Sequence, residues 1–246
     1  MNQHKTSVEL KTFAKGTLLG KYGTAVGAFI IIQLITQSIS LIASAVIDQS
    51  SMAGLIIDYA ISIIMTLIIA VFTVGQISLY LNMACNQPYK VSNIFNGFKT
   101  HPDKAIIIQF LLFLIALACL LPAIILVVVY VVTEQSLLII FVSLFAVAGI
   151  IVAYIITLRF SQSFYLMLDF PNYTAIELMT LSNNIMKGNC GRLFYLYVSF
   201  IPLYLLGCLS IGIGFLFILP YQYMTNVYFY LDLIHSRENK NPSYQE

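Results

Sequence analysis

Apolar residues run in six stretches, 23–47, 59–81, 105–132, 136–158, 193–209 and 211–231, separated by shorter segments that hold nearly all the charge. A helix of about 20 apolar residues matches the hydrocarbon thickness of a bilayer and satisfies its own backbone there. The pattern therefore predicts an all-α, polytopic membrane helical bundle with six transmembrane helices. The fifth stretch is the shortest, and only the segment around Gly207, Gly212 and Gly214 can turn the chain into the sixth. Five spans are the alternative; they would put Arg237 and Lys240 on the opposite side from the other basic residues. Ala43-Ser44-Ala45 mimics a signal-peptidase site, but the first stretch far exceeds the h-region of a signal peptide.

Charge sets the orientation. Lys5, Lys11, Lys15 and Lys21 precede the first stretch, and Lys90, Lys99 and Lys104 follow the second. Arg159, Lys187 and Arg192 follow the fourth, and Arg237 and Lys240 the sixth. The remaining turns carry only the acids Asp48, Asp58 and Glu134, or nothing. By the positive-inside rule both termini are cytoplasmic, in a multi-pass protein of the cell membrane. At 60% hydrophobic and 9% charged, the 246 residues form one integral membrane domain with no room for a soluble one. The net charge of +2 speaks for anionic lipid headgroups and against nucleic acid as a partner.

Two cytoplasmic connections have the pattern of short interfacial helices. Val91, Ile94, Phe95 and Phe98 recur at i, i+3, i+4 and i+7, flanked by Lys90, Lys99 and Lys104. Thr174-Ala175-Ile176-Glu177 reads as a capping box, with Ile176, Met179 and Met186 continuing an apolar face and Gly188 as the stop. Both connectors rest on the lipid bilayer, and Phe95, Phe98, Lys99 and Lys187 form a candidate docking surface for another membrane protein or a second copy.

Polar residues inside the stretches are the candidates for function, because a polar group in hydrocarbon needs a partner. Gln33, Gln37, Ser40 and Ser44 form one stripe; Ser62, Thr66, Thr73, Gln76 and Tyr80 another; Tyr154, Thr157, Ser161 and Tyr165 a third; Gln222, Thr225 and Asn226 a fourth. Together they predict a polar seam, centred on Gln33, Gln37, Gln76, Tyr154, Gln222 and Asn226, that either bonds helix to helix or lines a path. Pro220 removes a backbone hydrogen bond just before Gln222. No acid or base lies at mid-span, no G-x-S-x-G is present, and His4, His101 and His235 fall in separate segments. The expectation is a protein that is not an enzyme and holds no metal or cofactor. With Cys85 and Cys190 inside, Cys119 mid-span and only Cys208 near the outer face, no disulfide framework is expected.

Ser78-Leu79-Tyr80-Leu81, Ser163-Phe164-Tyr165-Leu166 and Tyr228-Phe229-Tyr230-Leu231 share an aromatic signature at the inner end of three helices, which suits an interfacial tyrosine belt or a threefold hairpin repeat. Short motifs extend over nearly the whole chain: Glu9-Leu10-Lys11, Leu19-Gly20-Lys21-Tyr22, Asn96-Gly97-Phe98-Lys99, Met186-Lys187-Gly188, Ile211-Gly212-Ile213-Gly214, Pro220-Tyr221, Thr225 and Phe229-Tyr230. Through them the chain resembles the bacterial integral membrane family catalogued as domain of unknown function 975, found mainly in Gram-positive organisms. That family usually carries tryptophan near the start of the first span and in the fifth, where Tyr22 and Ser199-Phe200-Ile201-Pro202 stand here. The resemblance implies a multi-span protein, loosely similar to the membrane domain fused to some glycerophosphodiester phosphodiesterases, and transfers no reaction. The sequence reading is a non-enzymatic accessory or lipid- or peptide-handling membrane component, with a small transporter using the seam as the alternative.

Overall fold

The computed structural model describes residues 4–48 and 50–238, and all regular structure in them is helical. Lys240, counted above among the basic residues, lies outside the described residues. In chain order the helices are α1 (Ser7–Leu18), α2 (Tyr22–Val46), α3 (Met52–Ala84), a 3₁₀ turn (Val91–Phe95) running into α4 (Asn96–Lys99), α5 (Pro102–Thr133), α6 (Leu138–Phe160) and α7 (Ser163–Asp169). They continue as α8 (Ala175–Met186), α9 (Cys190–Val198), α10 (Ile201–Leu209) and α11 (Phe215–Glu238). Five segments are long and apolar enough to cross a membrane: α2, α3, α5, α6 with α7, and α9 with α10. Helix α11 fills the sixth apolar stretch but is not one of these five.

Helix α1 is an element that hydropathy alone passes over, because Glu9, Lys11 and Lys15 mask its apolar face. Its start is a capping box: the Thr6 N–H donates to Glu9 Oε2 at 2.7 Å and the Glu9 N–H returns to Thr6 Oγ1 at 3.3 Å. Leu10, Ala14 and Leu18, one turn apart, are buried against α11 and α3. The second capping box is present as expected, Thr174 N–H to Glu177 Oε2 at 2.8 Å and Glu177 N–H to Thr174 Oγ1 at 3.4 Å. The helix it starts is rotated from the expected face, since Ile176 is exposed while Ala175, Leu178, Met179, Ser182, Ile185 and Met186 are buried. Its contacts with α5, α6 and α7 select that face: Ser182 accepts the Gln162 N–H at 3.2 Å and donates to the Arg159 carbonyl at 2.9 Å. Gly188 closes the helix at φ +80°, a conformation glycine adopts without strain.

The first connector differs more. A single interfacial helix was expected over the Val91–Phe98 stripe, whereas the structure has a 3₁₀ turn and one turn of α-helix. Backbone contact with α3 explains the break. A Cβ on Gly75 would lie 1.9 Å from the Ile94 carbonyl oxygen, and one on Gly97 would lie 2.0 Å from that of Val71. Two glycines thus let the connector lie directly on α3, with Ile94 fully buried between them. Phe95 and Phe98 then meet the Phe72 ring edge-on, at centroid distances of 5.9 and 4.9 Å.

Burial is uneven along the long helices. The buried residues of α2 run from Ala25 to Thr36, and those of α3 concentrate between Ala70 and Met83. Helices α5 and α6 pair through Gly149, whose Cβ would fall 2.5 Å from the Cys119 carbonyl oxygen. The molecule therefore packs tightly where its expected cytoplasmic segments meet and opens toward the α2–α3 and α5–α6 turns.

Gly75→Ala and Gly97→Ala should each prevent the connector from docking on α3. The expected result is loss of folded protein, or a fall in unfolding temperature at the large end of single-mutant effects, about 4 kcal/mol or more. Gly16→Ala, in an open stretch of α1, should be neutral or stabilising by up to about 1 kcal/mol. Thermal unfolding of the purified protein in detergent checks all three.

Candidate functional site: a polar cluster where the N-terminal segment meets α9 and α11

Asp232 is 6% exposed and sits near the end of α11, one residue past the sixth apolar stretch. Three residues from two other parts of the chain reach it. Arg192, in the first turn of α9, donates from Nη2 to Asp232 Oδ2 at 2.7 Å; the Lys5 N–H donates to Oδ1 at 3.1 Å; and His4 Nδ1 lies 3.2 Å from Oδ2. Arg192 is fixed in turn by the Lys5 carbonyl and Asn189 Oδ1, both at 3.0 Å, and lies over the Phe229 ring. Ser236, one turn on from Asp232, bonds His4 Nδ1 at 3.0 Å and the Asp232 carbonyl at 2.7 Å. Burial raises the Asp232 carboxyl pKa, but hydrogen bonds from Arg192 and Lys5, the Arg192 charge and the His4 contact outweigh it and hold the group below the usual aspartate value.

A second cluster lies deeper. Tyr80, Tyr165 and Tyr230, the third residues of the three aromatic signatures, are all buried, so they form a core and not a belt facing lipid. The Tyr165 and Tyr230 rings stack at 5.1 Å, Tyr80 stacks on Tyr223 at 5.9 Å, and Tyr230 donates to the Asp169 carboxylate. The Tyr80 hydroxyl and Asn226 Oδ1 are buried without a protein partner.

The six seam residues do not share one face. Gln222 accepts from the Tyr204 hydroxyl on α10, and Asn226 lies one turn further along α11 beside Tyr197 of α9. Their neighbours thus come from the fifth apolar stretch, which contributed none of the four polar stripes expected from the sequence. Gln76 is buried in α3, whereas Tyr154 is exposed on α6 and meets the Phe194 ring edge-on at 6.3 Å. Gln33 and Gln37 are exposed on α2. The hydroxyls of the stripes mostly turn back to their own helices: Ser44 to the Leu41 carbonyl, Thr66 to Ser62, Thr73 to Ile69, Thr157 to Ala153 and Thr225 to Tyr221. Of the docking residues, Phe95, Phe98 and Lys99 share the connector on α3, while Lys187 is exposed after α8 near His4.

The profile of a family described as "Protein of unknown function (DUF975)" matches residues 1–237. The chain belongs to this family. The match includes α1, the connector on α3, both capping boxes, Arg192 and Asp232, so the whole described architecture is that of a DUF975 member. No curated protein and no solved structure matches the chain.

Sequence reasoning missed the Asp232 cluster because its members lie far apart along the chain. The signal that could have found it is an acid at the end of an apolar stretch, in a chain whose connecting segments are rich in basic residues.

Asp232→Asn leaves Arg192 partly buried without its counter-charge and should cost about 3–5 kcal/mol, the scale for breaking such a pair. A carboxyl whose pKa is lower folded than unfolded stabilises the fold fully above the unfolded value, about 3.9, and this contribution is lost as pH falls through the folded value. Unfolding temperatures recorded from pH 7 to pH 3 should therefore drop below about pH 4 in the native protein. The step attributable to this group should be absent in Asp232→Asn.

Proposed function

We propose that this protein is a non-catalytic membrane component that handles an amphiphile, a lipid or an apolar peptide segment, and crosses the membrane six times with both termini in the cytoplasm. One observation carries the functional reading. A groove of about 670 Å³ opens between α2 and α3 on the side of their connecting turn, walled by Ile39, Ile42, Val46, Ile61, Ile64 and Ile68 among other apolar residues. Its volume falls in the range of ligand sites, about 300–1,000 Å³, and among the described residues its lining is wholly apolar. Such a surface suits hydrocarbon and offers nothing to a hydrated solute.

Packing at the opposite end supports the orientation. Lys11 donates to the Ser199 carbonyl at 2.7 Å, Lys21 to that of Met83 at 3.3 Å, Lys104 to that of Pro171, and Arg192 to that of Lys5. The bonds of Lys21, Lys104 and Arg192 thereby tie together the three segments 4–22, 82–104 and 159–192, as expected if these share one side of the membrane. For α11 as a sixth crossing, the support is that Gln222, Asn226 and Asp232 all face protein. A non-catalytic role is supported by five of the acids, which are taken up in caps or pairs: Glu9 and Glu177 in capping boxes, Asp48 with Ser50, Asp169 with Tyr230 and Asp232 with Arg192.

Single cysteines in a cysteine-free background test the orientation. In intact cells an impermeant thiol reagent should label Glu134→Cys and Ile213→Cys but not Thr12→Cys or His235→Cys; labelling at position 12 or 235 would reverse it. The groove is read with a phospholipid carrying a photoactivated acyl chain, in vesicles. Crosslinks to Ile42 and Ile64 should exceed those to Val128 on the open face of α5 severalfold and fall to that level in Ile61→Trp. Equal crosslinking at all three positions would mean ordinary annular lipid and end the amphiphile reading.

A further inference from the structure

The N-terminal segment, α9 and α11 border an open cavity of about 530 Å³ beside the Asp232 cluster. Its lining combines His4, Lys5 and Arg192 and the hydroxyls of Thr6 and Ser7 with the apolar side chains of Leu10, Phe229 and Tyr195, of which Leu10 and Phe229 are buried and Tyr195 is exposed. His4 also lines an adjoining cavity of about 210 Å³, which carries Lys187 and Arg237 next to Asn184 and Asn189. Among the described residues, every charged side chain lining the two cavities is basic.

We propose that the larger cavity binds the phosphate headgroup of an anionic phospholipid from the cytoplasmic leaflet. The inference rests on the orientation argued above, which brings this end of the molecule to that leaflet. Arg192 is held ready: Asp232, the Lys5 carbonyl and Asn189 fix its guanidinium, so ordering it on binding costs little. Lys5 is oriented as well, with its ammonium 4.5 Å from the centre of the Phe13 ring. The exposed Tyr195 ring decides between a lipid and a free anion. Inorganic phosphate would leave that ring against water, whereas a glycerophospholipid lays its glycerol and first methylenes on it while its phosphate meets the basic side chains. Anionic lipid near juxtamembrane basic residues is attracted by about 1 kcal/mol per Lys or Arg.

The chain has no tryptophan, so Tyr195→Trp places a single fluorophore on the cavity wall, at a side chain that is 65% exposed. Purified full-length protein in zwitterionic micelles is titrated with short-chain phosphatidylglycerol, short-chain phosphatidylcholine and inorganic phosphate. The expected result is a saturable response to phosphatidylglycerol, none to phosphatidylcholine, and a much weaker one to phosphate. Adding Lys5→Gln, which leaves the backbone bonds of Lys5 in place, should weaken phosphatidylglycerol about fivefold, the factor set by ~1 kcal/mol. Lys187→Gln, on the adjoining cavity, should change the affinity less than twofold, with unfolding temperature confirming the fold of each variant. Equal responses to the two lipids, or an unchanged affinity in Lys5→Gln, would overturn the site. Equal weakening by Lys187→Gln would replace it with diffuse attraction, and saturation by phosphate at the same affinity would overturn the lipid assignment. Detergent removes sidedness, so this titration reads the cavity even if the labelling at position 12 shows the orientation to be wrong.

Discussion

A carboxylate withdrawn from water has to be met by donors, and in this protein Asp232 is met by two distant parts of the chain, the N-terminal segment and the start of α9. That requirement organises the end of the molecule where α1, α9 and α11 meet. Satisfying Asp232 draws in the first described residues, fixes the start of α9 and orients the last turns of α11. The backbone also takes part, since the Lys5 N–H and carbonyl are both engaged. The N-terminal segment therefore enters α1 at a defined angle, and the Thr6 capping box starts the helix at that point. Leu10, Ala14 and Leu18 then cover α11 and α3.

The second constraint is close backbone approach. Between helices in lipid there is little hydrophobic driving force, so association depends on contact distance, and small residues allow the shortest distances. Gly75 and Gly97 serve the connector on α3 in this way, and Gly149 serves α6 on α5. Where no such residue stands, the long helices separate, as α2 and α3 do beyond Thr36 and before Met65. The apolar groove follows from this: two helices joined by a short turn, packed at one end only, leave a wedge between their far halves that hydrocarbon is suited to occupy.

The apolar stretches were legible in the sequence because hydropathy is a local property, and α2, α5 and α6 lie within a few residues of the expected bounds. The Thr174 capping box and the glycine turn before α11 are local signals too, and Gly212 takes φ +86° there; the Thr6 box is equally local but was not among the expectations. What the sequence did not reveal depends on contacts between distant segments. The Val91–Phe98 stripe has helical periodicity, yet the backbone of α3 breaks it, because Gly75 and Gly97 allow an approach that a continuous helix would not make. Ile176 was placed on the buried face by its spacing, but the Ser182 bonds to the α6–α7 break turn α8 the other way. The polar stripes were read as one seam by the i, i+4 rule, which says which residues share a face and not what that face meets. In the structure most of the hydroxyls turn to their own carbonyls, and the amides of α11 turn to tyrosines of α9 and α10.

On the six-crossing reading proposed above, α11 is a helix that a hydropathy average underrates. An average over single residues counts Gln222, Asn226 and Asp232 as if each met hydrocarbon alone. The cost of a polar group in a membrane depends on whether it is paired within the protein. Gln222 meets the Tyr204 hydroxyl, Asn226 meets Tyr197, and Asp232 meets Arg192, so the polar residues of α11 face α9 and α10 while residues such as Phe217 remain exposed. Tyrosine is well suited to this pairing because its ring packs as a hydrocarbon while its hydroxyl serves an amide or a carboxylate. The three aromatic signatures fit the same logic. Each supplies one tyrosine to a common core at the level where apolar helices give way to charged segments, and the Tyr165–Tyr230 stack and the bond from Tyr230 to Asp169 join α7 to α11 there. A hairpin of α9–α10 with α11 can thus carry amides and a carboxylate into the bundle without exposing them to lipid.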